Sequence, residues 1–484
     1  MEGEGDASQR VLCRFTTKLS EEFRVAETDL AIPGSSTRYG LSQTVNALLR
    51  AASTGDEDEV EAKGRVFDFL VEGELLRGEL VRHLAARDLS LEKTIVIEYF
   101  FAVVPPQPPR QRDLPDWIGA VRAARVRLSD SSQARSLVLT GCYDGSVSLH
   151  EILGGSTSTI SPGIGSRAVH SDSVSALALV SVSEAESGGN EGSRVLVTAS
   201  KDTTMKGWFL RPKGSSGTGS KSKAKSGAGG EGVDLVQVFE FVGHTASIES
   251  VCSSPATSRF ASGGWDKKIR VWSLDEEDLA GAEANASKKA KVQPGEASAQ
   301  SLEQVETTCL DGHKQSVSAV CWPEENLICS TSWDATVKCW DVSKGKLVSN
   351  LIRESVLFCL DASGGAGHGG SLSVAFGQAD GVIGLWDPRA TQSNSAATTG
   401  MATVRAFKSH KSIVSDVRWS PSSPFHLCSA DYEGLVKVWD TRSAIPLHTL
   451  QSHRGKALCL DWADAGIVSG GEDAKLAFQA MRAW

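Results

Sequence analysis

Four stretches of this 484-residue chain align without gaps: "VTASKDTTMKGWFLR", "FASGGWDKKIRVWSL", "ICSTSWDATVKCWDV" and "CSADYEGLVKVWDTR". Each reads as an apolar strand, a tight polar turn and a second strand. In each, an acidic residue stands six positions before a tryptophan: Asp202/Trp208, Asp266/Trp272, Asp334/Trp340 and Glu433/Trp439. Asp380/Trp386 keeps the spacing, and two weaker copies keep the acid alone, Asp144 with His150 and Asp473 with Gln479. That makes seven units. A unit this small cannot bury its apolar face by itself, so tandem copies must stack on one another.

The repeat carries further polar members. A histidine lies in a turn upstream of most units, and a Ser or Thr lies four residues before most of the acids. Units two, three and four hold the whole set: His170, Thr198, Asp202, Trp208; His244, Ser262, Asp266, Trp272; and His313, Ser330, Asp334, Trp340. Units one and five lack the histidine and unit seven lacks the tryptophan. His410 and Ser429 precede the Glu433 unit; His453 and Ser469 precede the Asp473 unit. Buried polar groups need partners, so each set must stand or fall together. An Asp, His and Ser could also suggest a hydrolase. A catalytic site, however, occurs once, and this set recurs. No single-copy nucleophile or carboxylate pair stands out, so the expectation is no enzyme and no cofactor.

Composition narrows the partners. The formal charge of −9 argues against a surface built as a whole for nucleic-acid phosphates. Two short lysine clusters, Lys221, Lys223, Lys225 and Lys288, Lys289, Lys291, suit nuclear import, weak RNA contact or simple solubility. Direct RNA contact stays open. The longest apolar run, around Thr94–Val104, contains Glu98 and is too short for a bilayer, and "MEGEGDASQR" has no apolar leader core, so no membrane is expected. The ten cysteines form no CxxC pair and read as small buried hydrophobes rather than metal ligands.

Residues 10–104 have a different grammar. "RVLCRFTTK" and "EEFRVAETDLAIP" read as strands. "YGLSQTVNALLRAAS" reads as a helix capped by Ser42, with Leu41, Val45, Leu48 and Leu49 on one side. "RVFDFLVEGELL" reads as a strand, turn and short strand, "GELVRHLAARDL" as a short helical turn, and "EKTIVIEYF" as a last strand. A proline-rich linker, "VVPPQPPRQR", follows. The expected organisation is a small domain at 10–104, a linker and closing strand at 105–114, and the repeats at 115–484. Low-complexity loops are expected at 181–193, 211–232, 275–301 and 390–400, with a shorter one at 364–370.

The His, Ser/Thr, Asp and Trp pattern resembles the WD-repeat family over roughly residues 107–484. That resemblance implies a mainly β fold, a seven-bladed propeller, with the four side chains bonded inside each blade. The long loops then leave one face. The opposite face carries Tyr143, Trp265, Trp333 and Tyr432 just before the acidic turn residues, either as partner-binding anchors or as cover for the channel mouth. The front order ββαββ resembles a ubiquitin-like fold. The words "RYGLSQTVNALL" and "FDFLVEGELLR" are similar to the eukaryotic WD-repeat ribosome-biogenesis factors of the PeBoW complex.

This resemblance implies a non-enzymatic scaffold for the large ribosomal subunit, acting in maturation of large-subunit and 5.8S rRNA in the nucleolus and nucleoplasm. Its partners would be the block-of-proliferation protein, pescadillo, the AAA ATPase midasin and the pre-60S particle. In that family a glutamate in an "LSxE" turn is given to the Mg²⁺ of midasin, and "LSLE" (89–92) places Glu92 there; no metal is intrinsic to the chain. Two alternatives stay open. One is a Notchless-like factor, a family that usually has eight blades. The other is an adaptor in ubiquitin signalling.

Overall fold

A computed structural model of the chain describes residues 10–52, 65–89, 93–103, 107–126, 135–153, 159–161, 164–181, 194–212, 233–274, 302–305, 308–363, 372–389 and 405–481. The chain divides into two compact units, one made mainly of Met1–Pro105 and one of Pro106–Asp440 with Ala444–Ala483.

The first unit is a five-stranded mixed sheet packed on a helix. β1 (Arg10–Thr16) pairs antiparallel with β2 (Asp29–Pro33); α1 (Arg38–Ala52) follows. β3 (Phe67–Val71) and β4 (Glu74–Leu75) form a hairpin. After α2 (Leu80–Ala85), β5 (Ile95–Phe101) runs parallel to β1 and antiparallel to β3, giving the order β2-β1-β5-β3-β4. This is a ubiquitin-like arrangement. Alternation on β1, β3 and β5 sends Val11, Cys13, Phe15, Phe67, Phe69, Ile95, Ile97 and Tyr99 into one core against Leu41 and Val45 of α1.

Two local expectations change. The strand expected over "EEFRVAETDLAIP" is confined to β2, because Glu21–Phe23 form a 3₁₀ turn held by the Tyr99 hydroxyl, which donates to the Phe23 carbonyl at 2.6 Å. Ser42 does not cap α1, which begins four residues earlier. It lies buried inside the helix, where its hydroxyl takes the Phe67 amide and faces the Arg65 carbonyl.

The second unit contains seven sheets among the described residues, antiparallel apart from one added strand. We number these blades 1 to 7 and letter their strands a to d outward. The a strands are Ile118–Val126, Val174–Ser181, Ile248–Ser253, Val317–Glu324, Leu357–Ser363, Val414–Trp419 and Ala457–Ala463. Each packs on the next, and the seventh packs on the first, so the ring closes around a central channel. Arg110–Asp113, the segment before blade 1, pairs with Lys475–Ala480 and supplies the outer strand of blade 7. Closure therefore joins the two ends of the repeat region in one sheet and leaves no open a strand. Blade 2 carries a fifth strand, Leu302–Val305, parallel to its outer strand Val233–Val242. Neighbouring blades approach closely where a small residue faces the next a strand: a Cβ on Gly377 would fall 2.6 Å from a Val414 methyl.

The loops joining strands c and d of blades 2, 3 and 5, and strands a and b of blades 2 and 5, span the low-complexity stretches, most of which lie outside the described residues. No helix among the described residues is long and apolar enough to cross a membrane.

Candidate functional site: the turn face of the propeller

The seven b–c turns share one backbone geometry. In each, the residue before the acidic position donates its amide to the carbonyl at the start of its own blade: Tyr143 to Trp117, Lys201 to Ser173, Trp265 to Ser247, Trp333 to Ser316, Ala379 to Val356, Tyr432 to Ile413 and Glu472 to Lys456. The residue after the acidic position is left-handed in every blade. It is Thr203, Lys267, Ala335 and Ala474 in four blades and Gly145, Gly381 and Gly434 in the other three. The glycines are required where the next blade crowds the turn: a Cβ on Gly145 would lie 2.3 Å from the His170 carbonyl oxygen.

Beneath these turns lie the polar sets. In blade 4 the Trp340 indole N–H donates to Ser330 Oγ (2.9 Å), and Ser330 donates to His313 Nε2 (2.8 Å). His313 Nδ1–H then donates to Asp334 (3.0 Å). Blade 3 repeats this with Trp272, Ser262, His244 and Asp266, and blade 2 with Trp208, Thr198, His170 and Asp202. The hydroxyls are fully buried, and each is occupied as both acceptor and donor, so the sets hold strands together rather than attack a substrate.

Burial pushes the imidazoles of His170 and His313 below their ordinary pKa, only partly offset by the facing carboxylates. Burial alone would raise Asp202. The Thr204 hydroxyl and amide, with His170 and the Ser171 amide, outweigh it and hold the carboxyl at about 2.

Blade 6 departs from the expected spacing. The acid that receives His410 is Asp431, at 2.6 Å, and not Glu433, which is exposed. Asp431 also accepts the amides of Glu433 and Leu435. It occupies the position of Ser332 in blade 4, where a hydroxyl takes the amide of Asp334. Moving the carboxylate two residues back keeps both the turn and the His410 bond, so with Ser429 and Trp439 blade 6 also holds a complete set. Blade 7 keeps His453, Ser469 and Asp473, with Gln479 at the tryptophan position bonded instead to Ser452. In blade 1, His150 takes that position, and burial lowers its pKa to about 4. In blade 5 Asp380 is exposed, and Trp386 is buried by packing alone.

The turn positions ring the channel mouth as Tyr143, Lys201, Trp265, Trp333, Ala379, Tyr432 and Glu472. The four aromatics do not form one cluster. Trp265 and Trp333 touch, with ring centroids 5.4 Å apart, and Trp333 meets Phe358 at 6.0 Å, giving an apolar sector over blades 3 to 5. Trp265 is 49% exposed and Trp333 37%. The Trp265 indole donates to Glu249 (2.6 Å), whose carboxyl burial raises. Tyr143 is half-buried, tilted against Trp117 (centroids 5.5 Å apart) and under the Lys201 ammonium (4.8 Å). Tyr432 is half-buried beneath Lys456 (5.5 Å). Trp117, 42% exposed, belongs to the same face. Its signal in sequence was its place just before the first a strand, in the register of Ser247 and Ser316.

Sequence reasoning missed a charged belt in the channel. Asp361, Arg418, Asp461 and Arg122 are the fifth residues of the a strands of blades 5, 6, 7 and 1, so acid and base alternate around the closure. The same position in blades 2 to 4 holds Ala178, Cys252 and Cys321. Asp361 accepts the Trp419 amide, Asp416 the Leu460 amide and Asp461 the Ala123 amide, each from the next blade in the ring. Arg418 lies 3.7 Å from Asp416, and Arg122 lies 3.6 Å from Asp461. Burial raises the Asp416 carboxyl to about 6 despite Arg418.

In the first unit, Ser90, Leu91 and Glu92 lie outside the described residues. Their flanks are fixed: Leu89 packs on the core, and Thr94 donates to Asp29, which also pairs with Arg14 at 2.8 Å.

The NLE (NUC135) domain family matches residues 11–84. The WD domain, G-beta repeat family matches 235–273, 304–341 and 401–440, stretches that end just past the tryptophans of blades 3, 4 and 6. The chain is 35% identical over 476 residues to the ribosome biogenesis protein WDR12 homolog of Oryza sativa subsp. japonica, covering 98% of this chain and 97% of the relative. The Arabidopsis thaliana homolog is 34% identical, with 97% and 96% covered, and that of Chlamydomonas reinhardtii 35%, with 96% and 97%. Likeness at this level along both units makes the chain a member of the WDR12 family of ribosome biogenesis proteins.

Proposed function

We propose that this protein is a non-catalytic assembly factor of the large ribosomal subunit, acting in the nucleolus and nucleoplasm on pre-60S particles. The observation that carries the reading is the full-length likeness to relatives named as ribosome biogenesis proteins, which spans the ubiquitin-like unit and the propeller together. The buried, repeated polar sets support a scaffold role, because their side chains are consumed in holding blades.

Within that role, the turn face docks a partner propeller, that of the block-of-proliferation protein, with pescadillo completing the trimer. Trp265 and Trp333 are its central anchors, and Tyr143 and Tyr432 lie at its periphery. The apolar sector over blades 3 to 5 supports this reading, since touching, half-exposed tryptophans are the side chains that most often dominate an interface. Glu92 is the contact for midasin. A carboxylate on a turn can complete the shell of a hard divalent ion such as Mg²⁺, where an amide is a weaker donor.

Affinity purification of the tagged chain tests the role: pre-60S factors and rRNA support it, whereas proteasome or cullin subunits in their place favour the ubiquitin-adaptor reading. For the finer step, Glu92→Ala abolishes chelator-sensitive binding to midasin while propeller binding persists. Mg²⁺-dependent binding retained by Glu92→Ala removes Glu92 from the mechanism.

A further inference from the structure

Three cysteines cross blade 4 in a row. Cys321 on strand a stands opposite Cys329 on strand b, and Cys329 stands opposite Cys339 on strand c. Directly opposed residues share a face of the sheet. This face packs against blade 5 among Leu351, Leu357, Phe376 and Trp386. Cys329 and Cys339 are fully buried, with sulfurs 2.7 Å apart. That is closer than non-bonded carbon atoms rest, at about 3.5 Å. It is within about 0.7 Å of a disulfide bond. Backbones opposed across an antiparallel ladder lie about 4.5–5.5 Å apart. A disulfide spans about 4.4–6.8 Å between Cα atoms, so bridging needs no backbone movement. Cys321 reaches the Cys329 thiol on one side and lines the central channel on the other. The row therefore runs from the channel wall into the blade.

We propose that Cys329 and Cys339 are a peroxide-oxidisable dithiol, loaded through Cys321. Peroxide oxidises the Cys321 thiol to a sulfenic acid and leaves as water. The Cys329 sulfur attacks the Cys321 sulfur, a second water departs, and a Cys321–Cys329 disulfide forms. The Cys339 sulfur then attacks Cys329 and expels Cys321 as a thiol. Two thiol protons and two electrons have passed to one peroxide, giving two waters and the Cys329–Cys339 disulfide. Burial raises the Cys321 and Cys329 thiols well above their ordinary range, so little thiolate is present and the first oxidation is slow, and the same burial restricts the oxidant to one that is small and neutral. Bulky, charged oxidised glutathione should not substitute for it. The bridge would tie strands b and c, which carry Ser330 and Trp340 and are joined by the turn of Asp334.

The test uses the full chain, reduced and then exposed to hydrogen peroxide, unfolded with an alkylating reagent, digested and weighed by mass spectrometry. The expected product is a peptide pair joined through Cys329 and Cys339, with Cys321 alkylated. Cys321→Ser slows its formation at least tenfold. Cys339→Ala stops the relay one step early, so the Cys321–Cys329 disulfide accumulates instead. Far-UV circular dichroism of each variant confirms the fold, and the wild-type result depends on no variant. Full alkylation of Cys329 and Cys339 after a dose that oxidises the exposed Cys309 overturns the proposal. An unchanged rate in Cys321→Ser overturns the loading route.

Discussion

Asp334→Ala should cost the propeller far more than Asp380→Ala, although both residues stand at the same turn position. Asp334 accepts four bonds, from His313 Nδ1 (3.0 Å), the Lys314 amide (2.8 Å), the Thr336 amide (3.1 Å) and the Thr336 hydroxyl (2.6 Å). The Lys314 amide lies near the surface and can turn to water. The His313 ring cannot, since its side chain is 1% exposed and the other acceptor near Nδ1 among the described residues is Thr336 Oγ1 at 3.3 Å. One stranded buried donor and the lost charge-assisted bonds come to about 2–4 kcal/mol. Asp380 is exposed and, among the described residues, accepts the Val382 amide at 3.2 Å, so its loss costs about 0.5–1 kcal/mol. Urea unfolding followed by tryptophan fluorescence measures both. Equal losses would refute the view that the polar set, rather than the turn, carries the stability.

Blade 6 separates two carboxylates: Asp431→Ala should destabilise by about 2–4 kcal/mol and Glu433→Ala by less than about 0.5, and the reverse order in urea unfolding would restore the six-residue spacing. Arg418→Ala leaves Asp416 and Asp361 without their shared cation and should cost about 2–3 kcal/mol, below the usual figure for a fully enclosed pair because 29% of the side chain faces the channel; a loss under about 0.5 kcal/mol would show the belt to be energetically idle. The folded-state pKa values of His170, His313, His410 and His453 lie below 6.5, so the unfolded chain takes up protons first and stability falls as pH drops through 6.5, with Asp202 adding loss below about pH 4. Asp416, raised to about 6, acts in the opposite sense and gains stability as pH falls from 6 toward 4, so Asp416→Asn should steepen the acid loss of thermal midpoint in that window, and a shallower slope would contradict the assignment. Trp265→Ala and Trp333→Ala should each weaken partner-propeller binding by about 2 kcal/mol with folding unchanged, and wild-type affinity in the double variant would move the interface off the turn face.

The repeat was readable because its parts are local. An acid, a left-handed residue and a strand of alternating apolar residues recur within a dozen positions, and a buried set that needs every member keeps its spacing. The ubiquitin-like unit was readable from the same alternation, with the helix cap at Ser42 misplaced because a serine that bonds a distant backbone looks in sequence like one that caps its own helix. Asp431 escaped for a related reason: in sequence, carboxylates two residues apart are equal candidates for the His410 bond, and only the folded turn shows which one enters. Local pattern thus determined the number of blades, the faces of their strands and the polar set of most of them. The alternation of Asp361, Arg418, Asp461 and Arg122 was invisible in the chain, because these residues come from four strands and are neighbours only once the ring has closed. The contact of Trp265 with Trp333, 68 positions apart, and the row of Cys321, Cys329 and Cys339 were likewise decided by ring and ladder register. Distances between side chains of different strands are set by how sheets stack, and a linear pattern carries no term for that.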